Sequence, residues 1–345
     1  MSRARSGGGA TVRITDVARA AGVSAATVSR VLNGAATVDP ALAERVRAAA
    51  TESGYVPNPN GRALRRQRTD VWAAIVSDLQ NPFFTSLVAA VEHVAVRNGF
   101  SVMLCNTDEQ LDRERGYLAT AIAQRMAGVV VSVTSQEDSD LSALLAAGVP
   151  TVVVDRRVHD FTGDTILLDN VRAGRMAVQH LLELGHRDIV CLAGPSGVST
   201  TEDRLRGARD ALDEAGFPHD DGRMLRSDLR APDAQSMVAE LLSGPDRPDA
   251  IFATNGPVTV GAYQAIQESG LRMPEDISLI GVDDERWAQM VRPSVTVVAQ
   301  PVTEMGERAA EQLLRRGTEP DAPVLHLLLT PRLLVRQSTG PRPAR

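Results

Sequence analysis

Six polar residues stand where an apolar run gives way to a helical pattern: Asp155 and Arg156, Thr200 and Arg204, Asn255, and Asp283. Phe83 and Phe84 follow Asn81-Pro82 at another such junction. A guanidinium fork, a carboxylate and an amide are the groups that grip vicinal hydroxyls or a ligand carboxylate. An aromatic ring beside them can stack on a sugar or base face, although one of the two rings is expected in the core. Each of these residues also has a structural alternative, as an ion pair or a helix cap. For Asp169 and Asp284 the structural role is the expectation, and Asp203 is expected to cap the helix that carries Arg204. The sequence holds no G-x-G-x-x-G after a strand, no Walker loop, no G-x-S-x-G and no H-E-x-x-H. His186 follows a helix end, where bonding to the last carbonyls is expected. No catalytic set, metal or cofactor is expected. Cys105 and Cys191 lie in apolar runs and read as buried small hydrophobes.

Groups at strand ends need a sheet whose carboxyl ends point one way. From Val71 the chain alternates strand and helix. Apolar runs fall at 71–76, 101–105, 128–133 and 151–154, separated by amphipathic stretches at 84–97, 113–124 and 141–147. The rhythm restarts after Asp169-Asn170. Strands are expected at 188–193, 250–254 and 278–282, with helices at 173–184, 203–215 and 258–269. Continuous apolar strands alternating with helices indicate parallel sheets covered on both faces. Two such halves place a cleft at the carboxyl ends of both sheets.

The N-terminal stretch differs in kind. Residues 15–34, TDVARAAGVSAATVSRVLNG, hold two short helical patterns around one tight turn. Thr15 is expected to cap the first, with Val17, Ala18 and Ala21 on its apolar stripe and Gly22 at its end. Ser24 is expected to cap the second, whose Val28, Val31 and Leu32 repeat at helical spacing while Ala25, Ala26, Ser29 and Arg30 point outward. Asp39-Pro40 opens a third helix with Ala41, Leu42, Val46 and Ala49 inward, ended by Gly54. The pattern alone fits a helix-turn-helix and an ordinary helical hairpin equally well.

The block TDVARAAGVSAATVSRVLNG, followed by Gly54-Tyr55-Val56-Pro57-Asn58, resembles the headpiece of the lac-repressor (LacI/GalR) family of transcriptional regulators. The similarity extends from about Thr11 to about Thr339. It implies a small all-α helix-turn-helix headpiece joined to an α/β periplasmic-binding-protein-like core of two parallel-sheet lobes. The expected division is a disordered tail at 1–10, the headpiece at 11–56 and a hinge helix or linker at 57–69. The first lobe is expected at 70–168 and 298–322, and the second at 169–297 and 323–339. By that resemblance the DNA-facing set is Thr15, Ser24, Ala25, Ala26, Thr27, Ser29, Arg30, Asn33, Arg62, Leu64 and Arg65. Ser24 and Thr27 suit phosphates, Arg30 a guanine edge, and Leu64 would wedge between central base steps. Phe83, Arg204, Asn255 and Asp283 occupy positions where the family contacts its effector. Asn255-Gly256-Pro257 departs from the Asn-Asp common at this point, so a carboxylate is missing and a typical hexose is disfavoured. Leu229 argues against a stacked purine.

Charge agrees with this division. All 37 basic residues are Arg, and the net charge of −6 divides into +7 over residues 1–68 and −13 over the remainder. A basic head on an acidic body suggests nucleic acid at one end only. No run approaches the about 18 apolar residues of a membrane span, and the N-terminus reads as no secretory signal. The expected protein is a cytoplasmic regulator, most simply a repressor. It would bind a palindromic operator as a homodimer, with a tetramer open, under control of a carbohydrate-like effector. Helices of the first lobe, 84–97 among them, together with the second lobe, would supply the dimer interface. A solute-binding protein and an enzyme on the same scaffold are the competing readings.

Overall fold

The computed structural model describes residues 12–32, 38–55, 68–217 and 221–342. It divides into two compact units that meet at Thr69-Asp70. The expected tail at 1–10 and nearly all of the expected hinge at 57–69 lie outside the described residues.

The N-terminal unit has three helices, α1 (Ile14–Ala21), α2 (Ala25–Leu32) and α3 (Pro40–Glu52). Val17, Val28 and Val46 are completely buried where they meet, each contributing about 1.5–3 kcal/mol. Gly22 takes φ +67° and closes α1. Thr15 does not cap α1. The helix starts one residue earlier, and the Asp16 carboxylate reaches back to accept from the Arg13 N–H at 2.9 Å. Ser24 does cap α2, its Oγ accepting from the Thr27 N–H at 3.1 Å. Asp39 accepts from the Leu42 N–H at 3.0 Å ahead of Pro40. The buried stripe of α3 is Ala43, Val46, Ala49 and Ala50, whereas Ala41 is exposed and Leu42 half-buried. Helical repeats counted from Val46 reach 43, 49 and 50.

The second unit contains two six-stranded sheets. Strands β1 (Val71–Val76), β2 (Ser101–Asn106), β3 (Gly128–Val131), β4 (Thr151–Val154), β5 (Asp164–Leu168) and β11 (His326–Leu329) make the first. Their order is β11-β5-β4-β3-β1-β2, parallel throughout. Strands β6 (Ile189–Ala193), β7 (Met224–Arg226), β8 (Ala250–Ala253), β9 (Ser278–Val282), β10 (Thr296–Ala299) and β12 (Arg332–Leu334) make the second. Their order is β12-β10-β9-β8-β6-β7, with only β12 antiparallel. The helices between them are α4 (Pro82–Arg97), α5 (Leu111–Ala123), α6 (Ser142–Ala146), α7 (Asn170–Glu183), α8 (Ser199–Glu214), α9 (Ala231–Ser243), α10 (Gly256–Glu268), α11 (Arg286–Met290) and α12 (Val302–Thr318).

The chain crosses between lobes three times, after β5, between β10 and α12, and between β11 and β12. The last crossing therefore falls between Leu329 and Arg332, not at 322–323 as expected. β11 seals the outer edge of β5, where open strand groups would otherwise remain. Asp164 fixes that register by accepting from Leu325 N at 2.8 Å and from Arg316 Nε at 2.7 Å. Both cysteines are buried as expected, and burial pushes the Cys105 thiol up to about 11 and the Cys191 thiol up to about 12. His186 differs from expectation. Its buried ring lies between Asp249 Oδ1 at 3.3 Å and the Gly340 carbonyl at 3.0 Å, tying the C-terminal segment to the sheet. No helix among the described residues is long and apolar enough to cross a membrane.

Candidate functional site

The carboxyl ends of β4, β8 and β9, with the first turns of α4, α8 and α10, converge on one pocket. All eight expected contact residues line it: Phe83, Phe84, Asp155, Arg156, Thr200, Arg204, Asn255 and Asp283. Leu229, noted above, also lines it, as do Asp78, Glu109 and Gln300, which no local sequence pattern marked.

Arg204 sits at the centre, 4% exposed. Its placement begins with a glycine. A Cβ at Gly174 of α7 would lie 1.9 Å from the Arg204 carbonyl oxygen. Only glycine there lets the two helices touch backbone to backbone. That contact brings Asn170 Oδ1 to 2.8 Å from Arg204 Nε, while Arg204 Nη1 donates to the Thr254 carbonyl at 2.6 Å. Burial lowers the Arg204 pKa, opposed by the charges of Asp283 and Asp155. One of these carboxylates comes from each lobe.

Asp155 and Asp283 are related by more than charge. Each ends a central strand, each is under 10% exposed, and each takes a left-handed φ, +65° and +78°. Such a φ in a residue other than glycine costs of order 1–3 kcal/mol and turns the carboxylate off the strand into the cleft. Ser132 Oγ donates to Asp155 at 3.2 Å. Gln300 Nε2 and the Gly256 N–H donate to Asp283 at 2.7 and 3.2 Å. Burial raises the pKa of both, against the pull of Arg156 and Arg204 on Asp155 and of Arg204 on Asp283.

Arg156 is engaged within its own lobe. It donates to both oxygens of Glu109 at 2.6 and 2.7 Å and to the Val133 carbonyl at 3.1 Å. Asn255 caps α10, accepting from Val258 N at 2.8 Å, and its amide reaches the Leu229 carbonyl at 3.4 Å. Both phenylalanine rings are largely buried, edge to face at 5.1 Å, yet both border the pocket. Asp203 is not the cap of α8, which begins four residues earlier at Ser199. It is instead a buried second-turn residue paired with Arg157 across the cleft and with Arg206 at 2.7 Å. Asp169 does cap α7, accepting from Arg172 N at 3.0 Å, and Asp284 pairs with Arg336.

The missing carboxylate at Gly256 has a counterpart. A Cβ there would lie 2.2 Å from Glu285 Oε1, so a side chain at 256 and the Glu285 carboxyl compete for one place. Burial pushes Glu285 up to about 7, assisted by the charge of Asp283 and opposed by the Trp287 N–H.

In the N-terminal unit, Thr15, Ser24, Ala26 and Arg30 are exposed, and Ala25, Thr27 and Ser29 are half-buried. Ala25 packs on the small core. Ser24 Oγ and Thr27 Oγ1 are 2.9 Å apart, so two hydroxyls cluster at the N-terminus of α2, an arrangement suited to phosphate. Asn33, Arg62, Leu64 and Arg65 lie outside the described residues.

Residues 13–58 match the family model for bacterial regulatory proteins of the lacI family, and residues 178–339 match a periplasmic binding protein-like domain. The chain is 35% identical to the ribose operon repressor of Escherichia coli K12, over 94% of this chain and 98% of that protein. Its fold is similar to that of the lac repressor dimer bound to operator and the anti-inducer ONPF. The TM-score is 0.85 at 29% identity, covering 96% of this chain and 100% of that one. It is also similar to the transcriptional regulator CelR in complex with cellobiose, with TM-score 0.72, 33% identity, and coverage of 95% and 99%.

Proposed function

Because the chain belongs to the lacI family of bacterial regulatory proteins, we propose that the Arg204 pocket binds a carbohydrate effector whose occupancy sets how tightly the N-terminal helices hold an operator. The chain is a DNA-binding transcriptional regulator, not an enzyme. It acts in the cytoplasm as a homodimer on an inverted repeat, most simply as a repressor. The observation that carries the effector reading is that Asp155 from one lobe and Asp283 from the other line the same pocket as Arg204. A ligand that bridges these groups bonds both lobes at once, so it favours one inter-lobe arrangement over another. Unequal affinity for two arrangements is the only way an effector can act. Vicinal hydroxyls suit the mixture of donors and acceptors offered by Arg204, Asn255 and the two carboxylates. The first lobe leaves Val96 of α4 and Leu104 of β2 at 58% and 44% exposure, and this apolar face is the one assigned to the dimer.

Fluorescence anisotropy of the full chain on a palindromic operator tests the reading, over a salt series and with sugars added. Tight, steeply salt-dependent binding that one sugar class changes supports it. Binding no tighter than to random duplex, with every sugar without effect, would remove it.

A further inference from the structure

The pocket around Arg204 encloses only about 40 Å³. A second cavity of about 560 Å³ lies beside it, and Phe83, Asp283 and Gln300 line both. Small-molecule sites typically span about 300–1,000 Å³. The ligand-sized volume is thus next to the charged pocket rather than within it.

The second cavity is further lined by Glu285 and Trp287, from the turn after β9 and from α11. Two of its lining residues carry a buried oxygen with no hydrogen-bond partner, Glu285 Oε1 and Gln300 Oε1. Their remaining polar atoms are occupied. Glu285 Oε2 accepts from Trp287 Nε1 at 2.8 Å, and Gln300 Nε2 donates to Asp283 at 2.7 Å. Trp287 is held edge to face against Tyr263, with ring centroids 5.8 Å apart. A fixed indole supplies an apolar platform, and unpaired acceptors call for hydroxyl donors. With its pKa raised to about 7, the Glu285 carboxyl can donate as well as accept near neutrality, matching a sugar hydroxyl.

We propose that this cavity is a second sugar subsite, so that the effector is a disaccharide or glycoside. Hydroxyls at one end reach Arg204 and Asp283, and a second ring rests on Trp287 with Glu285 and Gln300 as its hydrogen-bonding groups. The inference rests on the carbohydrate reading of the Arg204 pocket. It also accounts for Gly256: the Glu285 carboxyl takes the space a side chain at 256 would fill.

The test is sugar titration of the full chain, read by tryptophan fluorescence and by calorimetry. The chain has two tryptophans, and Trp72 is 1% exposed in the first-lobe core, so an emission change reports Trp287. The probes are glucose, galactose and xylose against cellobiose, maltose, lactose and xylobiose. At least one disaccharide should bind about tenfold or more tighter than its own monosaccharide and change the emission. Glu285→Ala should reduce disaccharide affinity about tenfold more than it reduces monosaccharide affinity. The isosteric Glu285→Gln, which keeps the Oε1 acceptor, should retain part of the disaccharide advantage. Disaccharides that bind no tighter than monosaccharides, or a Glu285→Ala variant that weakens both alike, would overturn the subsite and leave the Arg204 reading standing. Failure of all seven sugars to bind the unaltered chain would overturn both.

Discussion

Arg157 and Asp203 face each other across the cleft, the guanidinium from the end of β4 and the carboxylate from the second turn of α8, joined by two hydrogen bonds. The Arg157 N–H also donates to Ser199 Oγ at 2.9 Å, and Arg230 of the second lobe donates to Asp108 of the first at 2.8 Å. These pairs link the two lobes. Arg157 and Arg230 are 44% and 39% exposed, so each pair is worth only about 0.2–1 kcal/mol. The double variant Arg157→Ala/Arg230→Ala should shift the closed-to-open ratio by about fivefold, near 1 kcal/mol. Asp203 keeps Arg206 at 2.7 Å, so the change leaves no buried carboxylate unpaired. Effector affinity should weaken by the same factor, and small-angle scattering should show a larger envelope without sugar. Unchanged affinity in the double variant would mean that these links do not bias closure.

Arg204→Ala should be far more costly. It removes the charge between Asp155 and Asp283, leaving Asp155 with Arg156 alone and the buried Asp283 without its compensating charge. Arg204 compensates these carboxylates by its charge and not through a direct ion pair, so the cost should reach at most the about 3–5 kcal/mol of a broken buried pair. Without the guanidinium both aspartates should hold protons more strongly still, so the deficit should shrink as pH falls. Urea melts of the two proteins at neutral and mildly acidic pH check this. A deficit independent of pH would mean that lost packing, rather than stranded charge, is the cause.

The site was legible where chemistry follows directly from position along a strand. Asp155, Asn255 and Asp283 end apolar runs, and in a parallel sheet such residues must point into the cleft. Arg204 was legible because it lies just past a strand-to-helix turn. Glu109, Gln300 and Glu285 were not legible, because a turn, a lobe crossing and a loop bring them in, and no local periodicity records where such segments land. Asp203 looked like a helix cap because an acid after Ser199-Thr200-Thr201 suits a helix start. Its burial against Arg157 is a tertiary fact. β5 escaped notice because its five residues alternate between buried and half-buried instead of forming an apolar run. β11 likewise leaves His326 and Leu328 exposed at the sheet edge. One clue to Glu285 was present: a glycine where a carboxylate is usual implies that some other group fills the space.

Glu285 should impose a recognisable pH dependence on stability. Its carboxyl is raised from 4.5 to about 7 in the folded chain. Between these values the native state holds a proton that the unfolded chain has lost, so stability is greatest below the lower value and falls as pH rises through the upper one. Glu285→Gln removes this contribution. Asp155 and Asp283 are raised too, with the same sign, but they remain in both proteins and largely cancel in the difference. Denaturant melts from about pH 5 to about pH 8 should show the variant gaining on the unaltered chain as pH rises. Parallel pH profiles would place the Glu285 pKa near its ordinary value.

Arg30 offers the sharpest test of the DNA-facing helix. It lies on α2, exposed, six residues after the Ser24 cap, and makes no ion pair among the described residues. Ala25, expected to point outward, packs on the headpiece core instead, and the exposed Ala26 can touch a thymine methyl but donates no hydrogen bond. We propose that direct reading of a guanine edge falls to Arg30. Arg30→Ala should cost about 1–3 kcal/mol on the preferred operator and relax preference at one base position per half-site, leaving the others unchanged. The salt slope separates this from a backbone contact. Loss of a phosphate partner weakens all sequences alike and lowers the slope by about one, whereas loss of a base reader leaves the slope nearly intact. Anisotropy on a set of single-base half-site variants, repeated at two salt concentrations, measures both quantities. Uniform weakening with a reduced slope would move Arg30 to the phosphates and leave base reading to residues other than those of α2.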